Sequence, residues 1–148
     1  MHAKNERHAF VLIADEKYWK RLCARNSADR EAHVFVRKNQ VGPCKTQKLL
    51  FYVKKPIMQV RGVADFIERL TGNAEELWRK YGAESCFESY DEYAAFAEGR
   101  EKMTFVRFKN FAELEKPKST EITRMVVGSL RLFRPKYLSF EAAQQLVT

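Results

Sequence analysis

The chain is poor in the residues that punctuate, cross-link or ligate. Six glycines and four prolines in 148 residues exclude collagen-like and low-complexity sequence. The three cysteines, Cys23, Cys44 and Cys86, are odd in number, widely spaced and without a CxxC pair. They read as reduced structural thiols of a cytosolic protein, not as a disulfide framework. The three histidines, His2, His8 and His33, offer no paired ligands at short spacing, so no zinc site, and no metal or other cofactor, is expected. No apolar run approaches the roughly 20 residues of a membrane-spanning helix. The opening residues lead into a short apolar stretch, Ala9 to Ala14, too brief and too soon charged again for a secretory signal. A cytoplasmic protein without membrane partners is expected.

What is present is the material of a packed core. Hydrophobic residues make up 45% and aromatics 13% of the chain, which excludes a disordered tail. The length suits one domain, residues 1–148, large enough to bury a core without staples. The net charge of +8 is unevenly spread. Residues 1–61 carry 14 basic and 5 acidic residues, residues 62–101 carry 4 and 10, and residues 102–148 carry 9 and 4. A basic body is thus interrupted by an acidic insert at about 67–101. A basic face attracts polyanions such as nucleic acid at long range.

Periodicity supplies the elements. HAFVLIA (8–14) reads as a strand buried on both faces, and Asp15 as the cap of a helix near 15–24 carrying Tyr18, Trp19, Leu22 and Cys23. Strands are expected near 33–37 and 48–54. A period-2 strand near 57–66 would place Met58, Val60, Gly62, Ala64 and Phe66 on one face, with Gly62 marking a bend or bulge. Asn73 and Ser89 cap helices near 73–81 and 89–97; Ser89 and Glu92 have capping-box spacing. A strand near 103–108, a loop at 112–120 carrying Pro117, a strand near 124–133 and a short helix after Ser139 complete the chain. The strands cluster without regular βαβ alternation. The class is therefore α+β: a mixed β pseudobarrel with peripheral helices and a helical insert.

Three segments carry a family likeness: FVLIADEKYWKRL, KLLFYVKK and MQVRGVADFIERL. Their order resembles the PUA-like superfamily, the pseudobarrel shared by PUA, ASCH and EVE domains. It is similar in particular to the EVE-type branch and to the uncharacterised DUF365 family. That family shows an FY-x-K-x-P-x-x-x-V-x-G-x-A-x-F pattern, matched from Phe51 to Phe66, and a similar helical insert (ELWRKYG, SYDEYAAF). The resemblance implies a nucleic-acid or modified-nucleotide binding module, with RNA preferred over DNA by analogy alone. Thr46-Gln47-Lys48 stands where EVE domains usually place a Gly-Asp turn, and the ASCH signature G-x-K-x-x-E-x-R is absent. No amidohydrolase chemistry is therefore carried over.

Candidate nucleic-acid contacts are Arg37, Lys38, Lys45, Lys48, Lys54, Lys55 and Arg61, cations at strand ends and turns where several could meet one phosphate backbone. Lys54 and Lys55 should point to opposite faces, one lining a barrel mouth, with the strand ending in Arg37-Lys38 lying alongside. Trp19 and Tyr52 are candidate pocket residues, each with a polar tip that needs a partner. Cys44 precedes a cation, which favours a thiolate, but has no histidine or acid beside it; His33 reads as structural. No catalytic residue is assigned. Glu75, Glu76, Glu84, Glu88, Asp91, Glu92 and Glu98 read as solvated helix faces able to repel nucleic acid on that side. Two alternatives remain: an ASCH-like hydrolase acting on a nucleoside derivative, and a protein-interaction domain using the acidic insert. The hydrolase needs a lysine or tyrosine nucleophile or base and a carboxylate meeting in a pocket; a lysine paired with a glutamate between aromatic walls would mark it, and an open basic groove would mark the binder.

Overall fold

The structure, a computed structural model, describes residues 7–27, 31–38, 42–127 and 137–148. Six strands, β1 (Ala9–Ala14), β2 (Ala32–Arg37), β3 (Lys48–Val53), β4 (Gln59–Asn73), β5 (Lys102–Ser119) and β6 (Tyr137–Leu138), form one mixed sheet. Their order is β2-β5-β4-β3-β1-β6. Only β1 and β3 run parallel; the remaining pairs are antiparallel. Among the described residues five α-helices surround the sheet: α1 (Glu16–Ser27), α2 (Ala74–Tyr81), α3 (Tyr90–Ala97), α4 (Thr120–Val127) and α5 (Phe140–Val147). Among the described residues no strand pairing joins β2 to β6, so the pseudobarrel is a curled, open sheet.

The apolar runs of β1 and β3 supply both faces of the sheet. Phe10, Leu12, Leu49, Phe51 and Val53 pack with Trp19 and Leu22 of α1. Ala9, Val11, Leu50 and Tyr52 turn the other way, toward Ala143 and Leu146 of α5. A third cluster joins Val34, Met103 and Phe105 to Ala74, Leu77, Phe87 and Tyr93 of the insert. The insert helices start at the expected caps. Asn73 Oδ1 accepts the Glu76 N–H at 3.0 Å and Ser89 Oγ accepts the Glu92 N–H at 3.1 Å. The Glu92 carboxylate reaches back to the Glu88 N–H, one residue before the cap.

Four expectations are corrected. The period-2 face of 58–66 is split. Phe51 lies opposite Gly62 and Tyr52 opposite Val60, so Arg61 is the extra residue of a β-bulge that swaps faces. Met58 and Val60 therefore join the α5 side, whereas Ala64 and Phe66 join the α1 side. The expected loop at 112–120 is strand to Ser119. Val60 pairs with Lys118 but Gly62 with Glu113, so Pro117 falls in the irregular stretch between them. Residues 124–127, expected as strand, belong to α4: Ser119 Oγ accepts the Ile122 N–H at 3.2 Å, and Val126 packs on the α5 side. Burial here overrides the β preference of Val126; the remainder of that expected strand, 128–133, lies outside the described residues. Finally, β2 does not lie beside β3, because β5 and β4 intervene.

Candidate nucleic-acid interface

The curl of the sheet brings β2, at one edge, up to β1 and α1. Between them lies a cleft of about 420 Å³. Ile13 and Asp15 border it where β1 passes into α1, Tyr18 comes from α1, Val34 to Lys38 from β2, Lys54 from the end of β3, and Cys86, Phe87 and Phe96 from the insert.

One wall is aromatic. The Phe87 ring lies 5.2 Å from both Tyr18 and Phe96, centroid to centroid. Burial and then the neighbouring Glu92 charge push the Tyr18 hydroxyl above its ordinary pKa, so it remains a neutral donor near pH 7. Cations stand at the opening. Lys38 Nζ lies 4.8 Å from the Phe96 ring and is ion-paired with Glu98. Lys54 Nζ is 2.9 Å from Asp15 Oδ1, with both side chains partly open to water. Arg37 is half-buried; burial, and then the charge of Arg69, disfavour its protonated form.

The expected constellation is thus divided. Arg37, Lys38 and Lys54 all border the cleft, although the Arg37 guanidinium lies 6.0 Å from the Phe10 ring centroid and next to Gly42. Lys55 is exposed beyond the strand end and does not border it. Lys48 opens β3, six positions before Lys54 and about 20 Å away along an extended strand; it pairs with Asp65 at 2.5 Å. Lys45 is exposed in the segment before it, with φ of 56°, and Arg61 is the bulge residue of β4.

The two pocket candidates lie in the core. Trp19 is 4% exposed and packs edge-on to Phe111 at 5.4 Å. Tyr52 is 5% exposed; its hydroxyl donates to Thr120 Oγ1 at 2.6 Å, which in turn donates to the Met58 carbonyl. Neither borders the cleft. His33 is a core histidine, stacked on Phe108 and hydrogen-bonded to Asn26. The Cys44 main chain holds the Tyr137 hydroxyl through both its N–H and C=O, whereas burial pushes the Cys23 thiol up to about 12.

Sequence reasoning missed Tyr18, Phe35, Phe87 and Phe96. Phe87 stands between two helices in a stretch with no periodicity, so only its hydrophobicity beside charged neighbours marked it. The acidic residues of the insert are also corrected. Glu92 and Glu88 hold Arg21 of α1 at 2.6 and 3.1 Å, and Glu84 holds Arg107 of β5 at 2.9 Å. With Glu98 on Lys38, four of the seven grip the basic body, so they are not purely solvated faces.

A family model described as a domain of unknown function, DUF365, matches residues 16–131. The chain belongs to the DUF365 family. The matched span covers α1, the bulged β4, the insert and β5, hence nearly every wall of the cleft. The DUF365 fold is also found in crystal structures of an ASCH protein from Zymomonas mobilis. One aligns with a TM-score of 0.76 at 22% identity, covering 95% of this chain and 94% of that one. A serine-to-alanine mutant of that protein gives 0.74 at 21% identity, covering 97% and 96%. A tyrosine-to-phenylalanine mutant gives 0.75 at 22% identity, covering 95% and 97%. At that identity the likeness establishes a shared fold. No curated protein sequence matches the chain. Among the described residues no helix is long and apolar enough to cross a membrane.

Proposed function

We propose that this DUF365 chain is a single-domain, cytoplasmic nucleic-acid-binding module whose cleft takes one base of single-stranded RNA, or a modified nucleotide. The observation that carries the reading is one cleft with an aromatic wall of Tyr18, Phe87 and Phe96 that Lys38 and Lys54 also border. Unstacked bases are held on aromatic planes, and phosphates by cations beside them. The volume falls in the range of small-ligand sites, roughly 300–1,000 Å³. The ASCH-type fold supports RNA over DNA by analogy.

Fluorescence anisotropy with a labelled single-stranded RNA tests this at two salt concentrations. Each phosphate neutralised contributes about −0.7 to the slope of log affinity against log salt. Absence of binding at low salt to every RNA, DNA and nucleotide tried would defeat the reading.

A second reading is favoured by the Lys54–Asp15 pair at 2.9 Å beside aromatic walls, the arrangement expected of a hydrolase acting on a nucleoside derivative. Mass spectrometry of the ligand recovered from the same titration decides it. Intact ligand supports the binder, and a product lacking one hydrolysable group supports the enzyme.

A further inference from the structure

Five consecutive residues of one strand segment, Val34 to Lys38, border the cleft. Side chains of a strand alternate between faces, and β2 keeps the rule. Val34 and Val36 pack under the insert, whereas Phe35 packs against the core beneath α1. A cavity bordered by both sets faces the edge of the strand. The other edge of β2 is occupied, with register running from Ala32 opposite Lys109 to Arg37 opposite Thr104. Among the described residues β2 is also the terminal strand of the sheet. In an antiparallel pair, alternate residues turn their N–H and C=O toward the partner and those between turn them away. Main-chain donors and acceptors within Val34–Val36 are therefore aimed at the cleft.

We propose that the cleft selects its base through this main-chain edge. A nucleobase stacks on the aromatic wall and presents its hydrogen-bonding edge to N–H and C=O groups of Val34–Val36, while its phosphate meets Lys38 and Lys54. The inference rests on the nucleotide reading above and adds base selectivity to it. A flat ring with in-plane donors and acceptors suits the site better than an added peptide strand. A peptide strand needs room for side chains on both faces, and Tyr18, Phe87 and Phe96 fill one of them; the cations at the opening suit a phosphate. Selectivity follows from chemistry. Stacking alone tolerates any base, whereas main-chain groups left unpaired by the wrong base exact a desolvation penalty.

The test uses the isotope-labelled full chain, titrated by NMR with each of the four ribonucleoside monophosphates and with ribose phosphate. One base is expected to bind at least about tenfold tighter than the weakest. It should shift an amide within Val34–Val36 that ribose phosphate leaves unmoved, and methylation of its hydrogen-bonding edge should abolish the gain. Affinities within about threefold of one another, as stacking alone gives, overturn the proposal. So does an equal amide shift from ribose phosphate, or a shift from a short extended peptide and none from any nucleotide. RNA binding without base discrimination removes this inference only; no binding of RNA or any nucleotide at low salt removes the nucleotide reading with it.

Discussion

The basic body and the acidic insert differ in charge, in element type and in what their charged residues touch. Regional net charge suggests a division in which the body binds a polyanion and the insert repels it. The contacts show a different arrangement. Glu84, Glu88, Glu92 and Glu98 of the insert are spent on Arg107, Arg21 and Lys38 of the body. The insert then adds Phe87 and Phe96 to a cleft whose cations come from the body. Net charge describes what a segment does to a partner approaching to within about a Debye length, but side-chain pairs decide what it does at contact. The two regions build one site, and the comparison can be broken at either side.

The largest effect is expected in the body, at Gly62. A Cβ there would sit 2.5 Å from Trp19 Cη2 and 3.1 Å from Phe111 Cε1. Both rings are buried, so neither can swing into solvent. Gly62→Ala should cost about 1–3 kcal/mol or more by overpacking, read as a fall in Tm of several degrees. A variant that melts with the parent would show that α1 shifts freely on the sheet.

That glycine also marks where the sequence was legible and where it was not. Gly62 marks a bulge in the sequence, and the unbroken apolar run of β1 its two-sided burial. The insert helices were visible through Asn73 and Ser89, because caps are local. What escaped reading was non-local. The bulge at Arg61 reverses the face of the strand, and no sequence period records that. The polar stretch FAELEKPKS reads as loop but is held as strand by β4. The cleft depends on β2 pairing with β5 across a long sequence separation, and on the sheet then curling back toward α1. Arg37, Lys38 and Lys54 could be named as cations, but that they border one cleft could not be read from spacing.

Next in size is the clamp between the regions. Arg21 donates to Glu92, to Glu88 and to the Cys86 carbonyl, and so fixes the backbone on both sides of Phe87. The Arg21–Glu92 contact is largely shielded, with side chains 20% and 23% exposed; Glu88 is much more open. Arg21→Ala should cost about 1–2 kcal/mol, with the Glu88 contact adding little. Amides of the insert should exchange faster than those of β1 and β3. The sign of the pH dependence follows from Glu92. Its hydrogen bonds, first from Arg21 and then from the Glu88 N–H, hold its carboxyl down at about 2 against an ordinary 4.5. The contribution is therefore complete above about pH 4.5 and is lost as pH falls toward about 2. Acid titrations of stability should show that loss in the parent and a reduced one in Arg21→Ala. Identical acid profiles would place the clamp outside the folded-state energetics.

Binding should separate two neighbouring lysines. Lys54 borders the cleft and Lys55 does not, although they differ by one position. Lys54→Ala is expected to weaken RNA binding about tenfold, or about 1.4 kcal/mol. Lys55→Ala should change it less than about twofold, as exposed charges at a distance are screened. Anisotropy beside thermal melts gives both quantities. Equal losses from the two lysines would mean that phosphate contacts spread over the strand end instead of converging on the cleft.

The smallest effect belongs to the insert, at its outward acids. Glu75 and Glu76 lie in the first turn of α2, where carboxylates favour the positive end of the helix dipole. Neither borders the main cleft; Glu75 borders a separate cleft of about 270 Å³ between α2 and α3. Neither forms an ion pair among the described residues, unlike Glu84, Glu88, Glu92 and Glu98. The double change Glu75→Ala with Glu76→Ala should thus leave RNA affinity within about twofold. Stability should fall by about 0.3–1 kcal/mol for each carboxylate removed, through the lost dipole interaction. If regional charge governed binding after all, removing two negative charges would raise affinity, and more so at low salt. Measuring the double variant at two salt concentrations therefore sets the two accounts against each other. A salt-dependent gain argues for long-range repulsion by the insert; an unchanged affinity argues that its acids act only where they touch the body.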